Sequence, residues 1–329
     1  MSGWMVVLFQ IAAMILVISI GYIVRKKNIF DGSLTGKLAL FIVDFAMPCL
    51  TFTQLISKVD QQSLHTDWVI PIIGFGIIIL GEAIGLIFSP LFAHRHSIRT
   101  FIALISLANW IYLPLPIVKA LFGDRGVAIL LLFNVGAQVA LWTITVWTLK
   151  GGKFDKDTIS GLLKNPGLIA AITSIILVIF IPGIKSIDTV SQPNANLISQ
   201  IIGIPFLAMT MIGALTIPLS LVVIGAQLGG IEVHNSSDNR PLIGTVICRL
   251  LLAPLLFWGC ILLLPGIDNM VKAIGFIIMA MPCAVSSSIF TERYAGDTDL
   301  ASRAILVTTV VSVITVPGLY YLYQHIMGV

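Results

Sequence analysis

The segment SLANWIYLPLPIVKALFGDRG, residues 106–126, places Asn109, Pro114 and Pro116 within eight positions in strongly apolar surroundings. Proline removes a backbone donor and clashes with the carbonyl four residues earlier, so this spacing predicts a helix that breaks. A second segment, MAMPCAVSSSIF (279–290), repeats the theme, with Pro282 followed by Ser286, Ser287 and Ser288. A broken helix leaves unpaired N–H groups at one end, which suit an anion, and unpaired carbonyls at the other, which suit a cation. The Asn109 amide can donate to a carboxylate or accept from backbone that Pro114 leaves unpaired. The serine hydroxyls can ligate a solute or back-bond to their own helix. Asn134 and Gln138 lie one turn apart on one face, where they contact a solute or glue helices together.

Three charged residues interrupt apolar runs: Asp44, one turn before Pro48; Glu82, in IIILGEAIGLIF; and Arg249, in VICRLLLAP. Intramembrane charge is costly and marks function by default. Glu82 and Arg249 either pair with each other as a structural unit, or act separately. In the second case Glu82 takes up a coupling proton or ion and Arg249 attracts an organic anion. Asp44 suits a capping or lining role.

These residues need helices in lipid to position them. Of 329 residues, 57% are hydrophobic and 10% charged, and the mean hydropathy is +1.03. Soluble domains carry about 25% charge, so the chain reads as an all-α polytopic membrane protein. Apolar runs of about 20 residues cross a bilayer as helices. Ten such runs fall near 4–24, 36–56, 68–92, 99–121, 126–149, 162–184, 197–228, 241–264, 271–293 and 300–324. The first reads as a retained helix and not as a signal peptide, for want of a basic leader and a small-residue cleavage site.

Alternate connections hold Arg25, Lys26, Lys27 and Lys37; Arg95 and Arg99; Lys150, Lys153, Lys156 and Lys164; Arg240; then Arg293 and Arg303. The opposite side holds only Lys58, Lys119, Arg125, Lys185 and Lys272. The positive-inside rule then puts the richer loops in the cytoplasm and both termini outside a plasma or inner membrane. The basic residues sit in short loops, which argues topology and contact with lipid headgroups, not nucleic acid. Cys49, Cys248, Cys260 and Cys283 lack metal-ligand spacing and read as free, and no cofactor is called for.

The chain also repeats itself. Gly123-Asp124 matches Gly296-Asp297, and Pro48 matches Pro218, at nearly equal offsets. Residues 1–150 and 151–329 thus each hold five spans with breaks in the same order. Five is odd, so the second half enters from the opposite side, an inverted repeat of the kind common in secondary carriers. The offset sets Asn109 opposite Pro282, so spans four and nine break at one depth.

NWIYLPLPIVKALFG (109–123), LKNPGLIAAI (163–172), TIPLSLVVIGAQLG (216–229) and MAMPCAVSSSIFTERYAGDTDLASRAILVTTVVSVITVP (279–317) together resemble the auxin efflux carrier family, which includes plant PIN carriers and bacterial malonate and malate permeases. The resemblance implies two inverted five-helix repeats whose fourth and ninth helices cross at proline breaks. It further implies a scaffold of helices 1, 2, 6 and 7, often a homodimer surface, and a moving domain of helices 3–5 and 8–10. Gln138 resembles the polar residue of the fifth helix that faces the bound acid. Trp110, Ile111 and Tyr112 stand where the family usually has glycines, which reshapes the pocket. The long hydrophilic loop of the plant carriers is absent.

The resulting expectation is a secondary active carrier of small organic anions such as carboxylates, elevator-like, proton-coupled or a uniporter. A sodium-coupled symporter of the bile-acid type and a passive anion channel are the rivals. An enzyme is disfavoured: HRHSIR (94–99) lacks the spacing of an HExxH zinc site, and the Gly-Asp pairs fall in loops.

Overall fold

The computed structural model describes residues 3–153, 156–181, 184, 197–231 and 238–327. The connection 185–196, with Lys185, and most of 231–240 lie outside the described residues. Every named element is helical, and among the described residues the only β-type pairing is one antiparallel bridge, Ala108 to Cys283. Among the described residues seven helical stretches are long and apolar enough to cross a membrane: Gly3–Lys26, Gly32–Lys58, Leu64–Phe92, Pro114–Leu149, Gly203–Gly230, Arg240–Leu262 and Thr298–Met327. Pro166–Phe180 and Asn269–Ala280 are shorter apolar helices.

The first half comprises α1 (Gly3–Lys26), α2 (Gly32–Phe41), α3 (Met47–Lys58), α4 (Gln61–Asp67), α5 (Val69–Phe92), α6 (Ile98–Ser106), α7 (Pro114–Ala140) and α8 (Val146–Leu149). The second comprises α9 (Lys156–Leu163), α10 (Pro166–Phe180), α11 (Leu197–Ala214), α12 (Thr216–Gly230), α13 (Arg240–Ile247), α14 (Ala253–Leu262), α15 (Asn269–Ala280), α16 (Ser286–Arg293) and α17 (Thr298–Met327).

Seven differs from the ten runs in the sequence for identifiable reasons. The fourth run is split into α6, of nine residues, and the start of α7, with an irregular stretch at 107–113. The rest of α7 belongs to the fifth run. The two parts meet at Gly123, whose φ of 60° and ψ of −153° lie in a region open only to glycine. Lys58 binds Asp124 at 3.0 Å and Arg125 binds Asp67 at 2.6 Å, pinning this turn on both sides. The ninth run is likewise split into α15 and α16, and neither half is of spanning length.

Proline also explains two of the wide turns within the helices; a third, at Leu141–Thr145, has no proline directly after it. Five-residue π-turns at Ile42–Ala46 and Cys248–Leu252 come directly before Pro48 and Pro254. A ring that clashes with the carbonyl four residues back is accommodated by letting that turn widen. Asp44 and Arg249 sit inside these two turns.

Packing pairs α1 with α12, α3 with α10 and α11, and α5 with α6 and α7. The closest approaches occur at glycines. A Cβ on Gly136 would collide with the Pro71 carbonyl oxygen, and one on Gly225 with that of Ile18. Small residues at such contacts let membrane helices meet backbone to backbone, where dispersion and not the hydrophobic effect holds them.

At the end of the molecule carrying the basic loops, His94 Nε2 lies 2.9 Å from Asp238 Oδ2, and His96 lies 3.4 Å from Asp297. These contacts tie the α5–α6 turn to the starts of α13 and α17. The Arg240 amide, donating to Asp238, is the main reason that carboxyl sits below its usual range; Arg240's charge and His94 add to it.

Gly136→Ala is expected to force α5 and α7 apart and to cost about 1–3 kcal/mol, the usual toll of overpacking. Thermal unfolding in detergent should show a clear drop for Gly136→Ala and none for Gly76→Ala, whose added methyl would meet nothing.

Candidate functional site

Two breaks meet inside the bundle. After Ser106 and after Ala280 the chain leaves the helix and runs extended, and the two extended stretches cross antiparallel. Asn109 N donates to Pro282 O at 2.8 Å, and Ala284 N donates to Leu107 O at 2.8 Å. Cys283 is tied in as well, its amide donating to Thr308 Oγ1 at 3.2 Å and its thiol to Leu104 O at 3.2 Å. This short two-stranded contact pairs backbone that would otherwise be orphaned in hydrocarbon.

Four helix ends converge on the crossing. The ends of α6 and α15 present carbonyls, and the beginnings of α7 and α16 present N–H groups. Arg249 resolves the carbonyl side. Its side chain is wholly buried, with Nη1 donating to Ile105 O at 2.7 Å, Nη2 to Met279 O at 2.6 Å and Nε to Met281 O at 3.0 Å. One guanidinium therefore caps both carbonyl ends, and its charge complements the negative poles of two helices. Arg249 is thus neither paired with Glu82 nor placed in the cavity described below.

Glu82 occupies the other flank of α6. It is 4% exposed, with Oε1 accepting from Ser106 Oγ at 3.0 Å and Oε2 from Thr148 Oγ1 at 2.9 Å. Thr145 Oγ1 lies 3.4 Å from Ser106 Oγ. The pairing of Glu82 with Arg249 is therefore corrected: hydroxyls surround the acid and carbonyls surround the base. Each serves the same helix end, through Ser106 and Ile105 respectively.

The N–H side of the crossing faces a cavity of about 250 Å³. Asn109, Asn134, Gln138 and Ser286 all line it, so the structure brings these four expected residues together. Asn109 Oδ1 accepts from the amides of Tyr112 and Leu113 at 3.1 and 3.3 Å, capping the approach to α7. Asn134 Oδ1 accepts from Trp110 Nε1 at 3.0 Å and from Gln138 Nε2 at 3.5 Å. Gln138 Oε1 in turn accepts from Asn165 Nδ2 at 3.3 Å. Among the described residues no protein acceptor takes the amide N–H groups of Asn109 or Asn134.

The remaining expected residues lie elsewhere. Pro114 and Pro116 start α7 and shape the break without lining the cavity. Pro282 lines a groove on the reverse side of the crossing. Ser287 is 1% exposed, points its hydroxyl at no partner and does not line the cavity, while Ser288 back-bonds to Val285 O at 2.8 Å. Asp44 is exposed on the outside of its π-turn, although Ile42, Val43 and Met47 beside it line the cavity.

Several lining residues were not singled out in the sequence. Trp142 and Phe290 meet edge to face at 5.6 Å and form an aromatic wall with Trp110 and Tyr112. Asn165 caps α10 by accepting from Leu168 N at 2.9 Å. The Asn-Pro pair at 165–166, a cap followed by proline at the first helical position, was a readable signal. Gln227, a lone amide in an apolar run, was another. Among the described residues no charged side chain lines the cavity.

A polytopic helical protein with opposed helix breaks around a solute-sized interior cavity belongs, as a class, to the membrane proteins that handle small solutes. The family model described as membrane transport protein matches residues 6–161 and 153–320, and the chain belongs to that family, the auxin efflux carriers. Similar chains include an uncharacterized transporter of Methanocaldococcus jannaschii, 22% identical over 92% of this chain and 94% of its own. Another is an uncharacterized transporter of Methanothermobacter thermautotrophicus, 21% identical over 93% of this chain and 95% of its own.

Arg249→Met is expected to strand three buried carbonyls and to lower stability by roughly 3 kcal/mol or more, since each unpaired acceptor costs about 1–3 kcal/mol. Arg249→Lys, which keeps charge but loses the planar fork, should fall between that variant and wild type in a thermal unfolding series.

Proposed function

We propose that the protein is a secondary carrier of small organic anions, carboxylates above all, bound at the N–H side of the crossing. The observation that carries this reading is the separation of poles: Arg249 neutralises both carbonyl ends, leaving α7 and α16 to turn positive ends toward the cavity. The capped start of α10 adds a third. Helix N-termini and unspent amide donors recognise an anion without a cationic side chain. The free amide NH2 groups of Asn109 and Asn134 suit a carboxylate's lone pairs.

The architecture is taken as ten spans in two inverted five-helix repeats. Matched splitting of the fourth and ninth runs, and the pairing of α1 with α12 and α3 with α10 across the two halves, support it. The same pairings favour a scaffold of helices 1, 2, 6 and 7, against which helices 3–5 and 8–10 slide as an elevator. Gln227, Val285 and Ile289 line both the cavity and a wider vestibule of about 690 Å³ that also holds Arg25, Thr35 and Ser302. The vestibule lies at the basic end, so in this state the cavity opens toward the side read as cytoplasmic.

Glu82 is the coupling residue in this reading, a proton acceptor within reach of the crossing through Ser106. Its three neighbouring hydroxyls also make a sodium ion the second reading, because hard cations favour oxygen ligands.

Asn109→Asp separates capping from binding: it keeps the acceptor for Tyr112 and Leu113 but sets a negative charge in the cavity. Purified Asn109→Asp should unfold at the wild-type temperature yet lose saturable carboxylate uptake in proteoliposomes by about tenfold or more, the worth of one charged hydrogen bond. Undiminished uptake would remove Asn109 from the site, and flux without saturation or counterflow would indicate a channel. For coupling, Glu82→Gln should abolish the response to an imposed pH gradient while exchange of bound anion persists. A wild-type response to sodium, and none to pH, would select the sodium reading.

A further inference from the structure

On the reverse side of the crossing, between α1 and α17, runs a groove of about 350 Å³. Helices α1 and α17 are antiparallel and joined at one end, where Trp4 N donates to Gln324 Oε1 at 2.7 Å and the Trp4 ring meets Tyr321 edge-on at 5.6 Å. Farther along, between Ile11 and Ile23 of α1 and between Leu306 and Val316 of α17, the groove separates them. Its floor is Leu113, Met281 and Pro282, the back of the same break whose front lines the candidate site. Val310, 61% exposed, and Tyr22 form its rim, so it opens sideways onto the surface that faces lipid.

The walls are almost wholly aliphatic, and two of the hydroxyls on them are already spent. Thr309 Oγ1 donates to Ile305 O at 2.6 Å, and Ser312 Oγ to Thr309 O at 2.7 Å. Ser19 and Tyr22 bring the other hydroxyls, so the groove offers few of the two to four polar partners that a water needs. An empty groove would forfeit its dispersion contacts along one side. Just beyond the lining, next to the rim residue Tyr22, two exposed cations follow: Lys26 Nζ stands 5.5 Å above the Tyr22 ring, and Lys27 is the next residue.

We propose that this groove binds an anionic phospholipid, with one acyl chain lying between α1 and α17 and the phosphate held at Lys26 and Lys27. An acyl chain matches the length, the apolarity and the lateral opening of the groove. The lysine pair supplies the attraction that anionic headgroups feel for basic residues at a membrane surface. A chain seated there braces Pro282 from behind and fills the seam between α1 and the helices α7 and α17. The lipid is thereby a part of the packed seam, and different in kind from the annular lipid around α5.

The test uses the full-length protein in phosphatidylcholine vesicles doped with a phospholipid carrying a photoactivatable acyl chain, with either a phosphatidylglycerol or a phosphatidylcholine headgroup. Labelled residues are mapped by mass spectrometry. The expected result is several-fold stronger labelling of the 11–23 and 306–316 segments by the phosphatidylglycerol probe. Val310→Trp, at an exposed site that tolerates bulk, should cut that labelling while leaving labelling around Ile87 on α5 unchanged. Lys26→Gln with Lys27→Gln should make the two probes equivalent. Even labelling around the whole perimeter, equal labelling by both probes in the wild type, or no effect of Val310→Trp would each overturn the proposal.

Discussion

Interrupting two helices inside a membrane exposes backbone that hydrocarbon cannot satisfy, and everything particular to this protein follows from how that backbone is paired. The extended stretches pair with each other through Asn109 to Pro282 and Ala284 to Leu107. The carbonyl ends that remain are gathered by Arg249, through three donors of one planar group at 2.6 to 3.0 Å. Burying an unpaired arginine would be strongly unfavourable, and two helix C-termini provide the compensation. Once the negative poles are matched from within, the positive poles remain, and in the proposed function they face the solute.

That division explains why, among the described residues, no charged side chain lines the candidate cavity. Amides, hydroxyls and aromatic faces line it, and the electrostatic bias comes from oriented peptide dipoles fixed by the fold. Dipoles held by covalent geometry need no rearrangement when charge arrives, and unlike a lysine they do not have to be desolvated each time the site empties. Trp110 and Tyr112, at positions where the resemblance led one to expect glycines, narrow the cavity, and Trp110 ties the break to Asn134. A bulky residue at the break thus replaces backbone freedom with a specific hydrogen bond.

Much of this was legible in the residues themselves. Proline spacing located both breaks, and the offset between Asn109 and Pro282 set them opposite each other; the structure joins those two residues directly. Gln138 was singled out by its resemblance to the polar residue of the family's fifth helix, and Asn134 because it lies one turn earlier on the same face. The role of Arg249 was not legible. Its partners are main-chain carbonyls from α6 and α15, far away in sequence, and a backbone acceptor leaves no mark on residue type. The number of spanning helices was blurred for a related reason, since half-helices and the Gly123 turn divide spans in ways that hydropathy alone does not show. Asn165 and Gln227 gave signals that could have been used, a cap before proline and a solitary amide.

In the proposed function helix N-termini, and not a cationic side chain, hold a carboxylate in this cavity. Equilibrium binding to the purified protein, measured for a panel of mono- and dicarboxylates and for the neutral amide of each, addresses it directly. The account predicts saturable binding of at least one carboxylate, with its amide bound at least tenfold more weakly. Equal affinity for an acid and its amide would contradict it.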